Sequence, residues 1–264
     1  MAEFSDSKSL LDCFDIDSTI RTVALVGAGG KTSLMYALAR EMVTRREKVV
    51  TTTTTKIMPP KTYESPCLIL LEDDPELASL SGRLSEYGHV TVARSQDNAS
   101  GKLLGTAEET LRRCLVFAHR VLIEADGASG RPIKAPETWE PVIPDFTDLV
   151  IPVVGLDSIG KPATEEWVFR LEKFLSVSGV NRGEKIAPRA VSRLLNHPQG
   201  ALKNTPEKAR VVPFLNKADL LESGDALVGE LKADLATANP RIQRLVIGKI
   251  KGGVEVRAVR LGGR

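Results

Sequence analysis

The order of elements in the sequence predicts an α/β protein with a mostly parallel sheet and helices on both faces. Three observations carry this expectation. Short apolar or β-branched runs alternate with segments of helical period through most of the 264 residues. Several of the runs are apolar throughout, as strands buried on both faces are. Several end in glycine, acid or threonine, at the edge where an open parallel sheet holds its ligands. A single domain over residues 1–264 is expected.

Arg21–Val26 is the first strand, and Gly27-Ala28-Gly29-Gly30 follows it. From Lys31 onward Leu34, Met35, Leu38, Met42 and Val43 fall at helical spacing. Lys48–Thr54 is a β-branched strand, closed by Pro59 and Pro60. Cys67–Leu71 reads as a third strand, apolar and buried on both faces, and His89–Ala93 as a fourth. Thr106-Ala-Glu-Glu109 has the form of a capping box, opening a helix with Leu111, Leu115 and Ala118. Val121–Ile123 is a strand that ends at Glu124; Asp148–Val154 and Val211–Leu215 are two more. Leu245–Ile250 and Val254–Val259 pair as a hairpin across Gly252-Gly253. Between Asp157 and Thr205 the alternation fails. Trp167, Phe169, Leu171 and Phe174, then Val191, Leu194 and Leu195, have helical spacing, and no good strand is visible. Residues 157–205 are therefore expected to form a small helical insertion or lobe.

Composition narrows the function classes. Hydrophobic residues make up 42% and charged residues 27%, a globular balance that argues against a disordered chain. The 36 basic and 34 acidic residues leave a net charge of +2, which gives no electrostatic signature of nucleic-acid binding. Cys13, Cys67 and Cys114 are far apart and form no C-x-x-C pair, which disfavours a disulfide scaffold or zinc ribbon and fits a reducing compartment. No apolar run approaches the roughly 18–20 residues that span a bilayer. The first eight residues lack the charge-then-apolar order of a secretory signal. A soluble cytoplasmic protein with neither nucleic acid nor membrane as partner is expected.

Chemistry concentrates at three strand ends. Gly27-Ala-Gly-Gly-Lys-Thr32 lies between a strand and a helix, the context of a phosphate-binding loop. Gly27, Ala28, Gly29 and Gly30 would bring backbone close to phosphate, helped by the helix dipole. Lys31 would reach the β- and γ-phosphates, and the Thr32 hydroxyl would hold Mg²⁺. The loop is shorter than G-x-x-x-x-G-K-[ST], because Leu25 stands where that pattern needs glycine. Its G-x-x-G-K-T form resembles the phosphate loop of Mur ligases. A glycine-rich turn with a chance Gly-Lys-Thr is the plainer alternative. With the loop, the expected fold becomes P-loop NTPase-like.

Val121-Leu-Ile-Glu-Ala-Asp-Gly127 puts Glu124 and Asp126 at a strand end, where Mg²⁺ or an attacking water is held. The Glu124-x-x-Gly127 spacing resembles the E-x-x-G of nickel-insertion GTPases, in which the glycine amide senses the γ-phosphate. Arg131 or Lys134, in the loop that follows, could neutralise transition-state charge; each could equally be a solvated loop cation. Asn216-Lys-Ala-Asp219 matches the N-K-x-D guanine-recognition motif. There Asp219 would bind the base, Lys217 would lie against it, and Asn216 would fix neighbouring loops. Thr53–Thr55 with Lys56 could serve a metal or a second ligand. Asp148–Asp157 reads as a buried strand, and His197 as a turn residue.

Beyond single motifs, the chain resembles the YqeC family of selenium-dependent molybdenum hydroxylase accessory proteins. The residues that carry the likeness are Val26-Gly-Ala-Gly-Gly-Lys-Thr-Ser33, Thr51–Lys56, Ile123-Glu-Ala-Asp-Gly-Ala128, Arg193-Leu-Leu-Asn-His-Pro-Gln-Gly200 and Phe214-Leu-Asn-Lys-Ala-Asp219. The resemblance implies a role in maturing such a molybdoenzyme, with the hydroxylase or its cofactor-maturation proteins as partners. Similarity to accessory GTPases suggests a homodimer. Together these readings predict a protein that binds Mg²⁺ with GTP or ATP and hydrolyses the nucleotide. An ATP-dependent ligase or kinase and a non-catalytic, nucleotide-gated adaptor or cofactor carrier remain as alternatives.

Overall fold

Strand β1 (Thr22–Gly27) is buried along its whole length and divides the interior in two. Its side chains alternate faces, as the pleat requires. Val23 and Leu25 join a cluster with Leu34, Met35 and Leu38, whereas Ala24 and Val26 join one with Leu84, Leu111 and Cys114. Helices therefore cover both faces.

This computed structural model describes residues 9–221, 229–231, 233–235 and 239–261. In chain order the helices are α1 (Leu10–Cys13), α2 (Lys31–Thr44), α3 (Leu80–Tyr87), α4 (Glu108–Phe117), α5 (Leu171–Ser178) and α6 (Pro188–Asn196). The strands after β1 are β2 (Val49–Thr53), β3 (Lys56–Ile57), β4 (Leu68–Leu70), β5 (His89–Ala93), β6 (Leu103–Leu104), β7 (Arg120–Glu124), β8 (Ile133–Lys134), β9 (Leu149–Gly155), β10 (Val168–Phe169), β11 (Arg210–Val211), β12 (Phe214–Asn216), β13 (Arg244–Lys249) and β14 (Glu255–Arg260). Short 3-10 turns follow at Leu156–Ser158 and Ala218–Leu220.

The main sheet runs β14-β13-β12-β9-β1-β7-β2-β5-β4, with β11 also paired to β9. Every pairing in it is parallel except the β13–β14 hairpin. The order reverses around β1, so the chain leaves β1 and β7 in adjacent crossovers and opens a crevice at their carboxyl ends. The mostly parallel sheet with helices on both faces is the α/β architecture that the sequence predicts.

Four local expectations differ from the structure. The edge strand β4 is shorter than Cys67–Leu71, and Leu68 is exposed, because it has a neighbour on one side only. The capping box does not form: Ala107 is the N-cap of α4 and supplies no side-chain bond. The Thr106 hydroxyl instead lies 3.2 Å from the Thr52 hydroxyl, a tertiary partner that outcompetes the local amide. Within 157–205 the helical spacing begins too early, since Val168 and Phe169 form β10 against β8. Arg170 takes the left-handed conformation (φ 61°) and turns the chain into α5. Val211–Leu215 is split at Pro213 into β11 and β12, because proline gives the ladder no donor.

Helices α5 and α6 pack against Val154, Leu215, Leu245 and Ile247 of the sheet, so residues 157–205 cover one of its faces. Among the described residues no helix is long and apolar enough to cross a membrane. Residues 1–8, on which the expectation about a secretory signal falls, lie outside the described residues.

Candidate functional site

The loop after β1 is built by backbone that only glycine allows. Gly29 has φ +89°, and a Cβ there would stand 2.2 Å from the Gly155 nitrogen. Gly30 is the N-cap of α2; it contributes no side-chain bond, and no acid occupies the first turn. The helix start thus meets the crevice with its dipole unopposed, a favourable setting for an anion. Ala28 donates its amide to Val153 O at 2.9 Å, which pins the loop to β9.

Behind the loop lies a chain of alternating charges, nearly all of it buried. Lys31 Nζ is 3.2 Å from Asp126, 3.7 Å from Glu124, and donates to Gly27 O at 2.6 Å. Thr32 donates its hydroxyl to Glu124 Oε2 at 2.6 Å. Asp126 also accepts from the Gly27 amide (3.0 Å) and pairs with Lys134 at 3.2 Å. Lys134 continues the chain to Glu140 at 2.7 Å and donates to Gly127 O. Desolvation pulls the Lys31 ammonium down, but the Asp126 and Glu124 carboxylates outweigh it and hold the group above its usual range. Burial pushes Glu124 up, with Lys31 and the Thr32 hydroxyl opposing. Three carboxylates (Glu124, Asp126 and Glu140) face the two ammonium groups, with the Arg170 guanidinium 3.8 Å from Glu140, so opposite charges compensate one another as burial demands.

Arg131 is tied to the loop wall, donating Nε to Glu165 O at 2.8 Å and a terminal nitrogen to Ser129 O. Lys134 is not a solvated loop cation: its side chain is completely buried. On the other side of the loop, Asn216 donates Nδ2 to Gly29 O at 2.8 Å and accepts from the Lys217 amide. Lys217, with φ +65°, reaches Asp157 Oδ2 at 2.6 Å. Asp219 is exposed on the turn after β12. His197 follows α6, and its Nδ1 accepts from the Gln199 amide in a turn.

One cavity of about 1000 Å³ collects Gly29–Ser33, Glu124, Gly127, Arg131, Asn216, Lys217 and Asp219. Gly27, Ala28 and Asp126 do not line it; they support the loop from behind. Thr32 is brought to Glu124, and Asp126 to the two lysines. The oxygen donors Thr32, Glu124 and Asp126 suit a hard cation such as Mg²⁺. Among the described residues no cluster of three or more His, Cys, Asp or Glu side chains forms a metal cage, so a cation here would share its shell with ligand oxygens.

Three contributors escape the sequence reading. Glu140 gives no signal, because it meets Lys134 only through the fold. Lys134 is legible as a candidate, but its burial is not. Asp157 carries a usable signal: an apolar run, Leu149–Leu156, ends in an acid, just as Val121–Ile123 ends at Glu124.

Fold and site define a parallel α/β protein whose phosphate-loop-like turn opens a helix beside two acids. The chain belongs to the YqeC family. The family profile described as YqeC protein matches residues 23–172. YqeC of Escherichia coli (strain K12) is 33% identical over 209 residues, covering 77% of this chain and 78% of that one. Among solved structures, the hydrogenase maturation factor HypB from Archaeoglobus fulgidus aligns over 90% of this chain and 85% of its own, at 15% identity and a TM-score of 0.39. The signal recognition particle 54 kDa protein from Aeropyrum pernix K1, in complex with GDP, aligns over 93% of this chain and 46% of its own, at 19% identity and a TM-score of 0.40. Both scores are low, and the reading of the site rests on its own residues.

Proposed function

We propose that this chain binds a nucleoside triphosphate with Mg²⁺ and hydrolyses it as a cytoplasmic accessory factor in maturing a selenium-dependent molybdenum hydroxylase. The single observation that carries the nucleotide reading is Lys31. A charged lysine heads a helix whose start faces an open cavity, and its ammonium rests on Asp126 and Glu124. A phosphate chain offers that ammonium oxygens in place of the carboxylates.

In this reading Gly29, Gly30 and Ser33 cradle the phosphates with backbone, Lys31 spans the β- and γ-groups, and Gly27 and Ala28 hold the loop from behind, their amides given to Asp126 and Val153 O. Thr32 would hold the cation, with Glu124 in reach through it, whereas Asp126 acts from behind the cavity by positioning the Lys31 ammonium. Mg²⁺, when bound, neutralises charge on the β- and γ-oxygens. Of the two acids Glu124 lines the cavity and orients the attacking water, Arg131 adds positive charge at the mouth, and the Gly127 amide meets the γ-phosphate. Release of that phosphate frees the 127–134 loop, which is how hydrolysis would reach a client hydroxylase or its maturation proteins. Asn216, Lys217 and Asp219 stand where a base would lie, and an aspartate there favours guanine, whose ring N–H and amine both donate. A homodimer is part of the proposal.

The size of the cavity supports a second reading, a ligase or kinase with an acceptor beside the nucleotide. A non-catalytic, nucleotide-gated adaptor or cofactor carrier is the third. Calorimetric titration of non-hydrolysable GTP and ATP analogues with Mg²⁺ separates them. The wild type binds the GTP analogue, Lys31→Ala weakens it roughly ten- to a hundredfold, as loss of a charged hydrogen bond does, and Asp219→Ala erases the preference for guanine. Binding of the ATP analogue with Asp219→Ala silent moves the assignment to the ligase class. Binding without turnover moves it to the adaptor class, and failure of both analogues to bind removes the nucleotide reading.

A further inference from the structure

We infer that the same cavity holds a second site, on the β2 side of the phosphate loop, for a small organic anion with a flat apolar body. The division of the cavity rests on the nucleotide reading. In the sheet, β2 and β12 are four strand spacings apart, with β7, β1 and β9 between them. That is about 19 Å at roughly 4.8 Å per strand. The candidate base residues follow β12, and the phosphate loop follows β1. The cavity nevertheless continues past the loop to Thr55–Pro59 after β2 and to Lys102 before β6. Its volume of about 1000 Å³ lies at the top of the range for one ligand, roughly 300–1,000 Å³.

The chemistry of the β2 side is that of an anion site. Lys56, Lys61 and Lys102 line it with Glu64, and Arg170 lines the same cavity beside Glu140. The two acids are occupied: Glu140 by Lys134 at 2.7 Å, and Glu64 by the Lys61 amide at 2.9 Å. Lys56 pairs with Asp97 at 3.2 Å. The Lys61 ammonium lies 5.6 Å from the Tyr63 ring centroid, and Lys102 and Arg170 are the further lining cations without a close carboxylate. The Lys102 ammonium has no ion-pair partner among the described residues. Arg170 has only a long contact of 3.8 Å to Glu140, and its Nε is buried without a hydrogen-bond partner. A buried donor left unpaired is costly, and an incoming anion would satisfy it.

Beside these charges the wall is apolar. Met58 is 60% exposed, and Pro59 and Phe169 line the same space. The Arg170 guanidinium stacks 4.6 Å from the Phe169 ring centroid and 5.6 Å from that of Trp139. A planar cation on an aromatic platform grips a flat anionic ligand by its charge and its face together.

The test is calorimetric titration of phenyl phosphate into the chain saturated with Mg²⁺ and a non-hydrolysable nucleotide analogue. Variants are Lys102→Ala, Arg170→Lys and Arg170→Asn; asparagine tolerates the left-handed backbone at that position. The wild type takes up one equivalent. Lys102→Ala and Arg170→Asn weaken it about tenfold or more, Arg170→Lys less, with melting temperature and analogue affinity unchanged. No uptake by the wild type, or equal uptake by all variants, overturns the site. Inorganic phosphate binding as tightly as phenyl phosphate overturns the flat-body assignment. The titration is repeated without nucleotide on wild type and Lys31→Gln. Uptake that survives Lys31→Gln but not Lys102→Ala upholds the second site even if no nucleotide binds. Uptake lost in Lys31→Gln puts the anion on the phosphate loop and overturns it.

Discussion

Asp126 is shared by two lysines, and both are buried with it. Lys134 is also the sole ammonium within hydrogen-bonding distance of Glu140 among the described residues. Replacing it by methionine keeps the volume, leaves the buried Glu140 without an ammonium partner and leaves Asp126 with Lys31 alone. Lys134→Met should therefore cost about 3–5 kcal/mol, the usual penalty for breaking a buried ion pair from one side. The measurement is the urea midpoint at constant m-value. Adding Glu140→Gln should restore part of the loss; a single variant within about 1 kcal/mol of wild type would show that the network does not stabilise the fold. At this scale the sequence is informative where chemistry is local. Lys31, Thr32, Glu124 and Asp126 each follow a strand within a few residues, and their grouping could be read from that. Glu140 and Asp157 acquire partners only through chain segments that the sequence does not place side by side. Lys134 and Lys217 are legible as candidates, but their ion-pair partners are not.

At the level of elements, the carboxyl end of β9 is packed directly against the glycine loop after β1. A Cβ added at Gly155 would stand 2.5 Å from Asp157 Oδ1 and 3.1 Å from the Gly29 Cα. The backbone of Gly155 is ordinary (φ −83°), so Gly155→Ala probes packing without conformational strain. It should destabilise the chain by about 1–3 kcal/mol, as overpacking does, and weaken the nucleotide analogue while leaving phenyl phosphate uptake intact. Thermal unfolding and the two titrations read these out. Loss of phenyl phosphate uptake as well would mean that the two halves of the cavity are not separable. The long apolar strands β1, β7 and β9 were legible because burial on both faces leaves a continuous hydrophobic run. The two-residue strand β10 was not. Its residues also fit a helical period, and only the pairing with β8 and the left-handed Arg170 decide between the two.

For the molecule as a whole, the interior sets a pH limit. His89 lies in the sheet with Nε2 2.9 Å from the Thr51 hydroxyl, and burial pulls its pKa down to about 4 from 6.5. Its folded value is below its unfolded one, so between these values the unfolded chain binds more protons. The stability contributed by neutral His89 is complete above pH 6.5 and lost as pH falls toward 4, about 3 kcal/mol in all. Denaturant titrations across that window should show the decline, and His89→Gln should flatten it; an unchanged slope would place the titration elsewhere. The class of fold could be read from the alternation of strands and helices, but the strand order could not, because no local pattern says which strand lies beside which.

That strand order has a consequence for how the chain is made. Strand β1, at residues 22–27, sits between β7 at 120–124 and β9 at 149–155. On a ribosome adding about 5–20 residues per second, the glycine loop is finished early and then waits roughly 5–25 s for its second flanking strand. Until β7 is made the apolar strand has no sheet neighbour, and until β9 is made it has only one, which is the circumstance in which a nascent chain engages chaperones or its own copies. The earliest-translated part of the site is thus among the last to be assembled.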